Sequence, residues 1–155
     1  MLSGSNSRHS KLFFVILLEN QIGMLDYPPK ILIAFGETIS GNEEILNWLL
    51  GNGYPELAAL SKAIQGSEEA MHWLLRNGYP QFAALDQAIE GKAEAYAWLA
   101  NNNFLLLAVL ADACNRKPEA LSWFEKNDLK IFLMIAAKIH SLRENKTFNY
   151  HKLHF

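Results

Sequence analysis

Cysteines and membrane-length hydrophobic runs are lacking in this sequence. Cys114 is the single cysteine among 155 residues, so the chain cannot form an intramolecular disulfide, which is compatible with a reducing compartment. The N-terminal apolar run LFFVILL, residues 12–18, is shorter than the roughly 20 residues that span a bilayer. We therefore expect a cytoplasmic protein without a membrane segment.

A secretory signal peptide is the less favoured interpretation of the same run. Arg8 and Lys11 precede it, as the basic region of a signal peptide would. However, the polar residues Glu19 and Asn20 follow directly, and no small-residue cleavage pattern is evident. A first helix over residues 11–20 is the better interpretation.

Motifs for catalysis and for metal or cofactor binding are also lacking. The chain has no glycine-rich phosphate loop and no Gly-x-Ser-x-Gly sequence. Cys114 stands where neighbouring blocks of the sequence carry isoleucine, which favours a buried apolar role over a reactive thiol. His151 and His154 alone do not complete a zinc site. We expect no enzyme activity, no catalytic residue, no metal and no cofactor.

An excess of positive charge is lacking as well, since the formal net charge is −2. Acidic residues concentrate in the middle of the chain and basic residues toward its C-terminal end. Nucleic-acid binding needs a basic track for the phosphates, which the acidic middle does not offer. We expect no nucleic-acid partner.

What the sequence does contain is one pattern repeated four times over residues 41–140. Blocks of about 25 residues, a spacing typical of stacked repeats, begin at Gly41, Gly66, Gly91 and Arg116. Each block has one tryptophan in register, with a glutamate four residues before it and an asparagine four residues after it. The tryptophans are Trp48, Trp73, Trp98 and Trp123.

Each block predicts two short helices joined by tight turns. In the second block, Ser67 suits an N-cap and an apolar stripe follows at helical spacing. The helix is expected to stop at Gly78, which can adopt the left-handed conformation of a C-terminal cap. The equivalent residues are Gly53, Asn103 and Asp128. Pro80 then opens a second helix. No period-two alternation persists, so strands are not expected.

These patterns predict an all-α fold, an α-solenoid of about four helical hairpins with a capping helix at each end. We expect a flexible N-terminus at 1–10, capping helices at 11–40, the repeat array at 41–140 and a C-terminal tail at 141–155. A last helix is predicted over residues 129–142. Aromatic and apolar residues of the tail are expected to fold back over the end of the stack, the alternative being that they order on binding a partner. They are Phe148, Tyr150, Leu153 and Phe155.

The four tryptophans are predicted to be core residues. Each lies between apolar neighbours at the spacing of a buried helix face. The alternative, an aromatic stripe that stacks on bases or sugars, is disfavoured.

The first helix of each pair resembles the second helix of ankyrin repeats. The segments GNEEILNWLLGNG and GSEEAMHWLLRNG share with that family a glycine, a glutamate three residues on, paired leucines and a closing glycine. Tyr54-Pro55 and Tyr79-Pro80 stand where ankyrin repeats have Thr-Pro. The units are shorter than ankyrin repeats and leave no room for the projecting β-hairpin. The resemblance implies protein binding, without the hairpin fingers.

The favoured function is therefore a non-enzymatic scaffold that mediates protein–protein interaction. The alternative is an accessory subunit that binds a peptide or small ligand in the solenoid groove. Partner contacts are expected at variable positions of the second helices, where an acidic cluster would attract a basic protein. The predicted partner-binding residues are Ser61, Lys62, Asp86, Gln87, Glu90 and Asp112.

Overall fold

The structure, a computed structural model, describes Met24 and residues 26–152, with side chains up to residue 147. The predicted flexible segment 1–10, the predicted helix 11–20 and the side chains of the C-terminal aromatic residues lie outside the described residues. The described part contains nine α-helices and no β-strand. The helices are α1 (Pro29–Ile39), α2 (Glu43–Gly51), α3 (Pro55–Ile64), α4 (Glu68–Arg76), α5 (Pro80–Ile89), α6 (Ala93–Asn101), α7 (Leu105–Cys114), α8 (Pro118–Lys126) and α9 (Lys130–Lys152).

The helices form two layers. The inner layer consists of α1, α3, α5, α7 and α9, each packed against the next. The outer layer consists of α2, α4, α6 and α8, each of which lies against the inner helix before it and the inner helix after it. This arrangement confirms the all-α fold of stacked helical hairpins.

Every connection between successive helices is one short motif. Each has three residues, and the middle residue has a positive φ. The residue after it donates its backbone N–H to a carbonyl five positions earlier, at N···O distances of 2.8–3.2 Å, as in Tyr79 to Leu74. This is the Schellman cap of a helix C-terminus. The middle residues are Gly41, Gly53, Gly66, Gly78, Gly91, Asn103, Arg116 and Asp128.

The outer helices α2 and α4 begin with side-chain caps, as predicted for Ser67. The side-chain oxygens of Asn42 and Ser67 accept hydrogen bonds from the backbone N–H groups of Ile45 and Ala70, at 3.2 and 3.1 Å. These are N-caps, which satisfy a donor that the helix itself leaves unpaired. At the other end, an asparagine Nδ2 donates to the carbonyl of each tryptophan at 2.7–2.8 Å. The repeated Trp/Asn spacing therefore marks the end of each outer helix.

None of the tryptophans is fully buried, so their prediction as core residues is wrong for Trp48 and Trp98, while Trp73 and Trp123 pack against the core. Trp48 and Trp98 are 43% and 37% exposed, and Trp73 and Trp123 are half-buried. The residue after each tryptophan is fully buried instead. Successive helix residues are rotated by about 100°, so only one of two adjacent apolar residues can point at the inner layer. The four buried residues are Leu49, Leu74, Leu99 and Phe124.

The two ends of the inner layer meet, because α9 packs against α1. Gly36 of α1 allows this approach, since a Cβ there would lie 2.9 Å from the Sδ of Met134. Lys138 Nζ donates to Ser40 Oγ at 3.0 Å and pairs with Glu37 Oε1 at 3.2 Å. The five inner helices thus form a closed cycle of packing partners, which the sequence does not predict.

Candidate functional site

The predicted partner-binding residues do not form one exposed surface. Ser61 of α3 and Asp86 of α5 are buried, with 0% and 5% exposure. They occupy the same repeat position as Gly36 of α1, which faces Met134 of the neighbouring inner helix. The expectation that Ser61 and Asp86 are exposed is therefore wrong, because this position packs between inner helices.

Two of the remaining predicted residues are held in ion pairs with the outer layer or its connections. Lys62 Nζ lies 2.8 Å from Glu43 Oε1 of α2. Asp112 Oδ1 lies 2.9 Å from Lys117 Nζ, in the connection after α7. Both pairs are solvent-accessible, where ion pairs contribute little to stability. They do neutralise the charge that a partner would meet.

Gln87 lies in the last turn of α5, and Glu90, in the connection after it, lines a groove of about 380 Å³. Gln87 hydrogen-bonds to the ammonium group of Lys92, and Glu90 is exposed. The groove has charges of both signs, so it is not the acidic surface that the sequence predicts. Its charged lining residues are Glu90, Lys92, Asp112, Lys117 and Arg143.

Asp86 is a buried carboxyl with an altered pKa. Burial raises its pKa from 3.8 to about 6, the hydrogen bond from Gln87 Nε2 at 3.3 Å opposes the rise, and the Glu90 carboxylate adds to it. The positive charges of Lys146 and Lys92 lower it. Desolvation is the largest influence, so Asp86 belongs to the interior and is not offered to a partner.

The basic C-terminal half of α9 contacts the carboxyl ends of two inner helices. Lys146 Nζ lies 2.5 Å from the carbonyl oxygen of Gln65, at the end of α3. Arg143 Nη1 lies 2.7 Å both from the carbonyl oxygen of Ile89, the last residue of α5, and from Asn115 Oδ1. Cations stabilise the negative end of a helix dipole. Lys146 and Arg143 therefore stabilise the ends of neighbouring inner helices.

An apolar groove lies on the outer layer, between α2 and α4 and above α3. We call it the α2–α4 groove; its volume is about 360 Å³. Small side chains form its floor, and larger ones form its walls. The apolar lining residues are Leu46 and Leu50 of α2, Pro55, Ala58 and Ala59 of α3, and Ala70 and Trp73 of α4. The polar lining residues are Lys62, Ser67 and Glu69.

Large apolar side chains are exposed on the outer helices. Leu50, which lines the α2–α4 groove, is 51% exposed, Leu75 is 53% exposed, and Trp48 and Trp98 are 43% and 37% exposed. Sequence reasoning missed this surface, although the signal was present. The outer helices carry three consecutive apolar residues, Trp-Leu-Leu, at 48–50 and 73–75. Three in a row cannot all face one side of a helix, so some must be exposed.

A row of exposed glutamates borders the same outer layer. They stand in the first turns of the four outer helices, where carboxylates compensate the positive end of the helix dipole. Because the units repeat in one orientation, these carboxylates share one edge of the layer. We call it the acidic edge; its residues are Glu43, Glu44, Glu68, Glu69, Glu94 and Glu119.

Reactive groups are scarce in the described part of the chain. The thiol of Cys114 is fully buried, and burial raises its pKa to about 12, so the nucleophilic thiolate is disfavoured. Residues 24 and 26–147 contain no cluster of three potential metal-ligating His, Cys, Asp or Glu side chains. Within the described helices, none is both long and apolar enough to cross a membrane.

Comparison with known proteins finds no match to any protein-family model, curated protein or solved structure. The ankyrin resemblance therefore stays a prediction. The three-residue connections of the array fit its expected departure from ankyrin repeats, since they leave no room for a hairpin.

Proposed function

We propose that this chain is a non-enzymatic helical-repeat scaffold that binds a segment of another protein in the α2–α4 groove. The observation that supports this most directly is an apolar groove bordered by Leu50, which keeps half of its surface in contact with water. Exposed apolar patches of this kind mark interaction sites in soluble proteins. Solenoids commonly use such extended surfaces for protein binding.

The partner segment that fits is amphipathic and basic. Apolar anchors would enter between Leu46 and Trp73, above the alanines of α3. Lysines or arginines beside them would meet Glu69 and the rest of the acidic edge. Opposite charges at the rim accelerate association and select the orientation, while buried apolar anchors supply most of the affinity. The partner keeps the basic character expected from the sequence, but the contact surface moves from the inner to the outer helices.

A display library of random peptides tests this proposal and does not require the natural partner to be identified. Selection on the purified protein should enrich peptides with apolar residues at helical spacing and with Lys or Arg beside them. Binding of the enriched peptides should weaken strongly in Leu50→Glu. An apolar anchor that enters the groove would have to displace water from the new carboxylate, which costs free energy.

Leu75→Glu is the matched control. Leu75 occupies the same repeat position as Leu50 and is equally exposed, but it does not line the groove. This variant should bind the enriched peptides as wild type does. Enrichment of no consensus, or equal binding to both variants, would reject the α2–α4 groove as the site.

The second candidate function is the binding of a small apolar ligand in the same groove. Its volume of about 360 Å³ lies within the range of roughly 300–1,000 Å³ typical of small-molecule sites. A thermal-shift screen should then find ligands that raise the melting temperature of wild type and Leu75→Glu but not of Leu50→Glu. A screen without such ligands leaves the peptide proposal as the one that the groove supports.

We further propose that the protein acts in the cytoplasm. The lone, buried Cys114 suits a reducing compartment, where no disulfide is required for stability. Fractionation of cells that express the chain with a C-terminal tag tests this, and recovery in a secreted fraction would contradict it.

A further inference from the structure

Each outer helix ends at an asparagine, and two of the four asparagines are followed by glycine. Asn52-Gly53 follows α2 and Asn77-Gly78 follows α4, whereas the sequences after α6 and α8 are Asn102-Asn103 and Asn127-Asp128. In all four, the asparagine Nδ2 donates to the carbonyl of the preceding tryptophan at 2.7–2.8 Å, and the next residue has a positive φ. The array therefore contains the same cap with two kinds of following residue.

The two Asn-Gly sequences are open to solvent and to attack by the glycine nitrogen. Asparagine is a thermolabile residue, because the backbone nitrogen of the next residue can displace its side-chain amide. A following glycine has no Cβ to obstruct this close approach. All four residues of Asn52-Gly53 and Asn77-Gly78 are exposed, and no atom lies within 4 Å of a Cβ built at either glycine. Among the described residues, the N–H groups of Gly53 and Gly78 have no hydrogen-bond acceptor, whereas that of Gly66 donates to a backbone carbonyl at 2.9 Å.

The cap itself holds both asparagines in an unreactive conformation. At ψ values of 14° for Asn52 and 13° for Asn77, the glycine nitrogen is turned away from the asparagine side chain. The Nδ2 hydrogen bond fixes that side chain over the preceding helical turn. Attack by the glycine therefore requires this hydrogen bond to break and the backbone to rotate at ψ. Helix ends open locally at a low free-energy cost, so both changes are accessible in the folded protein.

We propose that Asn52 and Asn77 are sites of spontaneous deamidation, at which opening of the helix cap allows the following glycine to attack. The glycine nitrogen loses its proton to hydroxide and attacks Cγ of the asparagine. The N–Cγ bond forms, the Cγ–Nδ2 bond breaks, and the amide nitrogen takes a proton from water and leaves as ammonia. Water then opens the cyclic imide at either carbonyl, which gives aspartate or isoaspartate. The reaction transfers no electrons, and its co-reactants are water and hydroxide.

Neither product can rebuild the cap. A carboxylate has no N–H group to donate to the tryptophan carbonyl, and its charge lies at the negative end of the helix dipole. Isoaspartate also lengthens the main chain by one atom, which disturbs the hydrogen bond from the N–H of Tyr79 to the carbonyl of Leu74 at 2.9 Å. Deamidation should therefore loosen the ends of α2 and α4, the two helices that form the walls of the α2–α4 groove.

Incubation of the folded full chain in mildly alkaline buffer tests this proposal, with peptide mass spectrometry as the measurement. Asn102 and Asn127 are internal controls, because they make the same hydrogen bond but are followed by residues with a side chain. Asn52 and Asn77 should deamidate several-fold faster than both controls. Equal rates at the four sites, or no reaction at Asn52 and Asn77, would overturn the proposal.

The same incubation in urea separates the role of the cap from the role of the glycine. Both Asn-Gly sites should react several-fold faster in the unfolded chain, because no cap restrains them there; equal rates in the folded and unfolded chains would show that the cap does not control the reaction. In urea, Gly78→Ala should slow deamidation at Asn77 and leave Asn52 unchanged. An unchanged rate at Asn77 would show that the residue at position 78 is not the attacking group.

The variant Asn52→Asp reproduces one product and tests its effect on the helix end. Its melting temperature should fall below that of wild type, because the hydrogen bond to the carbonyl of Trp48 is lost. Asn47→Asp is the control, since Asn47 is an exposed residue in the middle of the same helix and the change adds the same charge. The control should melt closer to wild type. Equal melting temperatures for the two variants would contradict the loosening of the cap by deamidation.

Discussion

The indole of Trp73 stacks on the phenol ring of Tyr79, with ring centroids 6.1 Å apart and planes inclined by 8°. The pair joins the outer helix α4 to the connection that follows it and leaves the indole half-buried. Leu74, the next residue, is fully buried. Such stacking is worth about 0.5–1.5 kcal/mol beyond the area it buries.

Leu74→Ala should therefore destabilise the protein more than Trp73→Ala. We expect a loss of about 3–4 kcal/mol for the leucine, which leaves a cavity in the core, and of about 1–2 kcal/mol for the tryptophan. Urea denaturation of the two variants measures both values. A larger loss for Trp73→Ala would restore the tryptophans as core residues.

Local features of this fold were predictable from the sequence, because they depend on a few adjacent residues. Ser67 and Gly78 specify the two ends of α4 by capping chemistry, and both predictions are confirmed. The choice between Trp73 and Leu74 as the core residue was not predictable from local pattern, since both are apolar and adjacent. Their roles depend on the angle at which α4 meets two inner helices, a property of tertiary packing.

Closure of the inner layer is a second feature beyond local sequence. The contact of Gly36 with Met134 joins α1 and α9. This contact depends on the small rotations between successive units, which add up along the array. The same packing buries Asp86, although its polar character alone predicts exposure. The α2–α4 groove could be anticipated only in part, from the excess of apolar residues in the outer helices.

Gly78→Ala and Gly51→Ala should have opposite effects on stability. Both sites have no atom within 4 Å of an added Cβ, so packing is not a factor. Gly78 has a φ of +85°, where a side chain costs about 1–2 kcal/mol. Gly51 lies in α2 with an ordinary helical φ, where alanine should add up to about 1 kcal/mol. Equal effects in denaturation experiments would contradict the capping role of Gly78.

Arg116→Gly should stabilise the protein. Arg116 has a φ of +61° in the connection between α7 and α8, at the position that glycine occupies in the three earlier units. Removing its side chain relieves about 0.5–1 kcal/mol of backbone strain. Asn103→Gly is the control, since asparagine tolerates positive φ and should gain less. A thermal melt that ranks Asn103→Gly above Arg116→Gly would contradict this explanation.

Asp86→Asn should change how stability depends on pH. Since the pKa of Asp86 rises from 3.8 to about 6 on folding, the native state binds more protons than the unfolded state between these values. The contribution of Asp86 to stability is therefore fully present below about pH 4 and falls as pH rises through about 6. At pH 7.5 the asparagine variant, which carries no buried charge, should be more stable than wild type by on the order of 2 kcal/mol.

Denaturation of both proteins at several values between pH 4 and pH 7.5 measures this difference. The gain of Asp86→Asn over wild type should grow with pH across this range, because only the wild type must bury an ionised carboxylate. Glu119→Gln serves as the control: it removes the same charge from an exposed position, so its profile should parallel that of wild type. Parallel profiles for Asp86→Asn and wild type would mean that the Asp86 carboxyl stays solvated in the folded protein. The residue would then return to the set of accessible partner-binding candidates.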